Sequence, residues 1–240
     1  MNLFYPYFYY GTGSDPLYSF SLVLLVIALL ITVIAQIKIK SSFAKYSKAS
    51  SNVTGAAAAE KMLSSQGIYN VTIERCKGEL TDHFDPRTNV IRLSESVYDS
   101  ATVAAVGVAC HEAGHAIQYA TDYGPIKLRA KIIPITNFGS RLAMPLVLLG
   151  LIFSFYPLAI AGVAFFALST LFQLITLPVE LNASRRALSI IRDYNILYDD
   201  SQIRGAKTVL TAAAMTYLGA LLTSLAQLLR LLAIVGRRRR

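Results

Sequence analysis

The chain has 240 residues, of which 54% are hydrophobic, and a formal net charge of +9. Its apolar residues gather in long uncharged runs, such as 22–37 and 142–179, which a soluble core does not require. Because a helix needs about 20 apolar residues to cross a bilayer, these runs exclude an ordinary soluble protein and predict an integral membrane protein. The basic residues border the apolar runs, so they favour contact with anionic lipid and argue against a nucleic-acid partner.

The first predicted elements are an N-terminal segment and a membrane helix. Residues 1–16 are aromatic and are expected to lie outside the cell at the membrane interface. Residues 17–38 are predicted to form the first transmembrane helix, not a signal peptide, because no Lys or Arg precedes them. The lysines from Lys38 to Lys48 indicate a cytoplasmic flank under the positive-inside rule.

Residues 45–125 are predicted to form a small α+β unit in the cytoplasm. Its predicted parts are a helix capped by Thr54, strands at 71–76 and 90–93 with a turn at 85–89, and a helix from about 102 to 119. The two strands are expected to pair, and an extended peptide is expected to add to the edge at 90–93.

The remaining chain is predicted to return to the membrane. Residues 126–141 are basic, contain Pro134 and Gly139, and are expected to form a linker at the membrane surface. Residues 142–177 are predicted to form a transmembrane hairpin with Tyr156-Pro157 at its tip. A helix over 178–200 is expected to begin at Pro178 on the cytoplasmic side.

Residues 206–235 fit either a packed interfacial helix or a fourth membrane span. A fourth span would carry the tail Arg237–Arg240 outside, against the positive-inside rule, so the sequence favours a cytoplasmic C-terminus. The sequence therefore predicts three to four transmembrane helices in all. It makes no prediction about the oligomeric state.

The most informative motif is His111-Glu112-Ala113-Gly114-His115. Residues four apart lie on one face of a helix, so His111 and His115 can present two imidazoles to one metal ion. Glu112 projects beside them and can take a proton from a metal-activated water, as in the H-E-x-x-H zinc hydrolases. The alternative is two histidines on an ordinary helix face.

A catalytic zinc usually has three protein ligands, so a third must come from elsewhere. Glu180 is the preferred candidate because Ala183, Ser184 and Ala187 make its helix face small, which would allow close approach to the small residues of the motif. The alternative for Glu180 is a carboxylate that stabilises the first turn of its helix. His83 is the alternative ligand, and it could instead contact substrate or anchor the turn that follows it.

These residues predict a zinc peptidase that binds one Zn²⁺ per chain. Glu112 is assigned as the general base, which later returns its proton to the leaving amine. Tyr217 is a candidate donor to the oxyanion, with packing in the protein interior as the alternative. The fold class is a mainly α membrane protein that carries a zincin-like α+β cytoplasmic catalytic unit with a short strand pair.

Three functions fit the sequence. The leading one is a membrane-anchored zinc endopeptidase at the cytoplasmic face of the cell membrane, acting on peptide or protein substrates that include membrane proteins. The second is an intramembrane-cleaving zinc protease, which the apolar helix around His111 permits. The third is a catalytically silent zinc-binding membrane scaffold, which would have no need for Glu112.

Several segments together resemble the YugP-like bacterial membrane neutral zinc metallopeptidases. The resemblance implies a gluzincin-like zinc peptidase, anchored by several helices, with Glu180 as the third ligand. In that family an acidic residue is expected two positions after this glutamate, where this chain has Asn182; an amide can still orient a neighbouring ligand but carries no charge. The segments that carry the resemblance are 54–56, 80–87, 105–118, 177–180 and 183–187.

Overall fold

The computed structural model describes residues 16–237. The predicted N-terminal segment lies outside the described residues apart from Pro16, as does the tail beyond Arg237. The helices are α1 (Pro16–Tyr46), α2 (Gly55–Ser65), α3 (Glu95–Tyr98), α4 (Val103–Ala120), α5 (Gly124–Ile152), α6 (Tyr156–Asp193) and α7 (Asp200–Arg237). The strands are β1 (Thr72–Cys76), β2 (His83–Asp85) and β3 (Val90–Ser94).

The described part of the chain is mainly helical, and four of its helices are long and apolar enough to cross a membrane: α1, α5, α6 and α7. They lie side by side, with α7 packed between α1 and α6, and α6 packed between α7 and α5. Small residues allow the close packing. A Cβ on Gly162 of α6 would lie 2.6 Å from the carbonyl oxygen of Ala143 on α5.

The small sheet has the strand order β1-β3-β2, with β1 parallel and β2 antiparallel to β3. The predicted strand pair is therefore part of a three-stranded sheet. The expected peptide-binding edge at 90–93 is wrong, because β3 is the central strand and β1 and β2 form the edges. The sequence analysis missed β2 because three residues are too few for strand alternation to be recognised.

Helix α4, which carries the histidines, lies at the centre of the α+β unit. Its N-terminus is capped by Thr102, whose side chain accepts a hydrogen bond from the backbone N–H of Ala105. It packs against α2, α6 and α7, and almost every residue from Val103 to Gln118 is buried. Helix α4 is not among the four candidate membrane spans, so the two histidines lie on a helix outside them.

The boundaries of the second half of the chain differ from those predicted. Residues 126–141 are helical and belong to α5, so the predicted linker is corrected to the first half of a span. Helix α6 continues through Pro178, and the hairpin turn lies at residues 153–155 instead of at Tyr156-Pro157. A proline removes one backbone donor, and packing against a neighbouring helix stabilises the rest of the helix around it.

The two ends of the described chain lie at the same end of the helix row. Helices α1 and α7 are antiparallel: Gly205 lies beside Tyr46, and the guanidinium groups of Arg230 and Arg237 lie 5.9 and 5.3 Å from the ring centroid of Tyr18. If α1 and α7 both cross a membrane, this packing places Pro16 and Arg237 on the same side of it, unlike the predicted arrangement of an extracytoplasmic N-terminus and a cytoplasmic C-terminus. Contact between the two helices continues at their middle, where Gly219 of α7 lies beside Thr32 of α1.

Candidate metal centre

Helices α4 and α6 bring three potential metal ligands together. His111 and His115 lie one turn apart on α4, with ring centroids separated by 4.8 Å. Glu180 of α6 faces both rings: its Oε2 lies 3.1 Å from Nε2 of His111 and 3.4 Å from Nε2 of His115. The ligand atoms of these three side chains all lie within 4.8 Å of one another.

This donor set fits zinc. Zinc binds imidazole nitrogen and carboxylate oxygen at about 2.0–2.2 Å in a tetrahedral arrangement, which places neighbouring ligand atoms roughly 3.3 Å apart. The distances from Glu180 to both imidazoles are close to that value. Three protein ligands leave the fourth tetrahedral position for water or substrate, which is the arrangement of catalytic zinc sites.

Each of the three side chains also forms a hydrogen bond to a separate partner, through the second ring nitrogen of each histidine and the second carboxylate oxygen of Glu180. Nδ1 of His111 is hydrogen-bonded to Oγ of Ser184 at 3.1 Å, and Nδ1 of His115 to Oε1 of Gln118 at 3.0 Å. The atom left for a metal is therefore Nε2 in both rings. Oε1 of Glu180 accepts a hydrogen bond from Nη1 of Arg129 at 2.8 Å. Partners of this kind orient metal ligands.

Two of these three partners are not predicted from the sequence, and the third is considered there only for its small size. Gln118 lies three residues after His115 on the same helix face, so the spacing was a usable signal. Ser184 was noted for its size but not for its hydroxyl group. Arg129 carries no local signal, because it lies on another helix 51 residues before Glu180.

Asn182 is connected to the cluster through Gln118, which is hydrogen-bonded to His115. Its Oδ1 accepts hydrogen bonds from Nε2 of Gln118 and from Nε of Arg186, both at 2.9 Å. Gln118 also donates to the carbonyl oxygen of Val179 at 2.8 Å. Asn182 therefore fixes the amide that in turn orients His115. A neutral acceptor can perform this task, because both of its partners are donors.

Glu112 lies beside the imidazoles and is buried, with 8% of its surface exposed. Burial raises the pKa of its carboxyl group; the charges of His111 and His115 oppose this shift, and the charge of Glu180 adds to it. A raised pKa suits a carboxylate that must take up a proton and release it again.

A cavity of about 230 Å³ opens onto this cluster. One wall comes from strand β2 and the residues around it, including His83, and another from the first turns of α5. His83 lies on that wall with Nδ1 hydrogen-bonded to the carbonyl oxygen of Thr81 at 2.8 Å, and it is not part of the three-ligand cluster. Tyr217 of α7 also lines the cavity.

The sequence as a whole places the chain in a known protein family. Residues 21–236 match the family described as "Putative neutral zinc metallopeptidase", and the chain belongs to this family. The chain is also similar to the "Putative membrane protease YugP" of Bacillus subtilis (strain 168). The two are 46% identical over 202 residues, which cover 83% of this chain and 89% of that protein. No solved structure matches the chain.

Proposed function

We propose that this protein is a membrane-anchored zinc endopeptidase whose catalytic unit lies at the cytoplasmic face of the cell membrane. The observation that carries the proposal is the convergence of His111, His115 and Glu180 beside Glu112 at the base of an open cavity. Family membership and the name of the Bacillus relative support the same chemistry.

In the proposed reaction His111, His115 and Glu180 hold one zinc ion. A zinc ion at this position would acidify water and polarise the carbonyl group of the scissile peptide bond. Glu112 takes the proton of the attacking water and delivers it to the nitrogen of the leaving amine. Tyr217 lines the cavity and is the candidate hydrogen-bond donor to the developing oxyanion.

The proposed substrate is an extended segment of a protein, including membrane proteins. Strand β2 is an edge of the sheet and lines the cavity through His83 and Phe84, so its free side can pair with an extended backbone. Ile126 and Ile133 of α5 form part of the opposite wall, and α5 is a candidate span. A segment held between these walls would lie next to the membrane.

The proposed orientation follows from charge. The lysines at the end of α1 and the basic residues at the start of α5 and the end of α6 are at the same end of the helix row as the metal cluster. Under the positive-inside rule this end is cytoplasmic. The zincin-like character of the α+β unit is part of this proposal.

Two other functions fit less well. An intramembrane protease would need its catalytic helix at membrane depth, whereas α4 packs among α2, the sheet and α6 and is not a candidate span. A silent zinc scaffold would need the three ligands but has no use for a buried carboxylate at Glu112.

The test compares zinc content and casein hydrolysis in detergent-purified wild type, Glu112→Gln, Glu180→Ala and the matched control Glu60→Gln, an exposed glutamate on α2. Glu112→Gln should keep zinc and lose activity by about 10²–10⁴-fold, since it removes the proton acceptor alone. Glu180→Ala should weaken zinc binding, and Glu60→Gln should match wild type. Equal zinc in every variant without any hydrolysis would contradict both the Glu180 ligand and the peptidase.

A further inference from the structure

Arg129 is the one cation that contacts the three-ligand cluster within the described residues 16–237. It lies in the second turn of α5, a different helix from α4 and α6, which supply the candidate ligands. Its Nη1 donates to Oε1 of Glu180 at 2.8 Å, while Oε2 of the same carboxylate faces the imidazoles of His111 and His115. The two oxygens of Glu180 thus have different partners.

The contact between Arg129 and Glu180 is important because the Glu180 carboxylate is buried. The Glu180 side chain is only 3% exposed, so it has little hydration of its own, and an arginine remains charged whatever its surroundings. Nε of Arg129 is buried without a hydrogen-bond partner among the described residues, so no second bond at that atom anchors the guanidinium group elsewhere. Charge-assisted contacts of this kind are short and directional.

We propose that Arg129 is a positioning residue: it holds Oε1 of Glu180 away from the metal and presents Oε2 alone as the ligand. The proposal rests on the proposed function, in which Glu180 is a zinc ligand. The alternative is an ion pair that only offsets the buried charge of Glu180.

The experiment measures the zinc affinity of full-length protein in detergent by competition with a chelator, together with the visible absorption of the cobalt(II)-substituted protein. Cobalt absorption depends on coordination number and geometry, so it reports on a change from one to two bound carboxylate oxygens. The variants are Arg129→Met and Arg129→Lys. The matched control is Lys127→Met, two residues earlier on α5, whose exposed side chain pairs with Asp122.

For Arg129→Met we expect zinc affinity to fall about 10–100-fold, as for other residues that orient metal ligands, and the cobalt spectrum to change. Arg129→Lys keeps the charge but loses the planar fork, so its cobalt spectrum should also change. Lys127→Met should match wild type in both measurements. If Arg129→Met does not fold, Arg129→Lys decides the question through its spectrum.

The outcomes separate this inference from the proposed function. A wild-type protein that binds no zinc would overturn both. Wild-type zinc binding with unchanged affinity and cobalt spectrum in folded Arg129 variants would overturn the positioning role alone. A lowered thermal stability with an unchanged spectrum would assign Arg129 to charge compensation and would also overturn it.

Discussion

At the scale of single residues, the approach of α4 to α6 depends on the absence of a side chain at Gly114. A Cβ at this position would lie 2.7 Å from the carbonyl oxygen of Ala183, a main-chain atom that cannot rotate away. Ala113, Ala183 and Ala187 are fully buried at the same contact. This close packing allows Glu180 to reach the two imidazoles across the helix interface.

We therefore expect Gly114→Ala to destabilise the protein by about 1–3 kcal/mol through overpacking, and to weaken zinc binding because the helices move apart. The measurements are the free energy of unfolding in mixed detergent and the zinc affinity. The control is Gly107→Ala on the same helix, where the nearest contact is the Cβ of Ala206 at 3.6 Å. It should be neutral or stabilising by up to about 1 kcal/mol. Identical behaviour of the two variants would refute the steric explanation.

At the scale of elements, the site is formed where α4, α6, α5 and strand β2 meet. Helix α4 supplies the two histidines and Glu112, α6 supplies Glu180, and β2 with the start of α5 supplies the cavity walls. Helix α6 is continuous from Tyr156 to Asp193, so a single helix joins the apolar candidate span to Glu180. Its other end is anchored by the tight packing of Gly162 against α5.

Glycine 162 offers a second test at this scale. A Cβ there would lie 2.6 Å from the carbonyl oxygen of Ala143 and from the backbone nitrogen of Val147, so Gly162→Ala should cost about 1–3 kcal/mol of stability. The position lies 18 residues before Glu180, roughly 27 Å along the helix, so the zinc affinity of the folded protein should not change. A loss of both stability and zinc affinity would mean that the packing of α5 against α6 controls the geometry of the metal centre. Gly236→Ala, with no atom within 4 Å of its Cβ, is the control.

At the scale of the whole molecule, the four candidate spans form a row in which neighbours run in opposite directions. The metal cluster lies near the start of α5, and the turn between α5 and α6 lies 24 residues before Glu180 along α6, about 36 Å away. A membrane around this row would place the α+β unit and that turn on opposite sides. The native cysteines offer a direct way to test this arrangement.

Labelling with a membrane-impermeant maleimide should modify partly exposed Cys76 only in inverted membrane vesicles, where the cytoplasmic face is accessible. Ser154→Cys in a Cys76→Ser background should be labelled only in intact cells, because residue 154 lies in the opposite turn. The control is Cys76→Ser alone, which should remain unlabelled because Cys110 is fully buried. If Cys76 and residue 154 are labelled from the same side of the membrane, the arrangement in which α5 and α6 cross the membrane between them is contradicted.

Local periodicity allowed much of this architecture to be predicted from the sequence. The spacing of His111 and His115 predicts one helix face, and the uncharged runs predict membrane helices, because both are properties of neighbouring residues. Pro134 in α5 and Pro178 in α6 were interpreted as element boundaries, but both lie inside continuous helices. Their helices are maintained by packing against each other, which short-range rules do not include.

The sequence by itself determined the chemistry available to this protein: two imidazoles and a carboxylate on one helix, a glutamate on another, and enough apolar length to remain in a membrane. Only the tertiary structure decided how these groups combine. It brought Arg129 onto Glu180 and Gln118 onto Asn182, made β2 the edge beside the cavity, and placed Tyr18 near Arg237. The physical reason is that contacts between residues far apart in the chain depend on how the helices pack. The steric and polar fit that decides this packing is distributed over many residues and is not a property of any one motif.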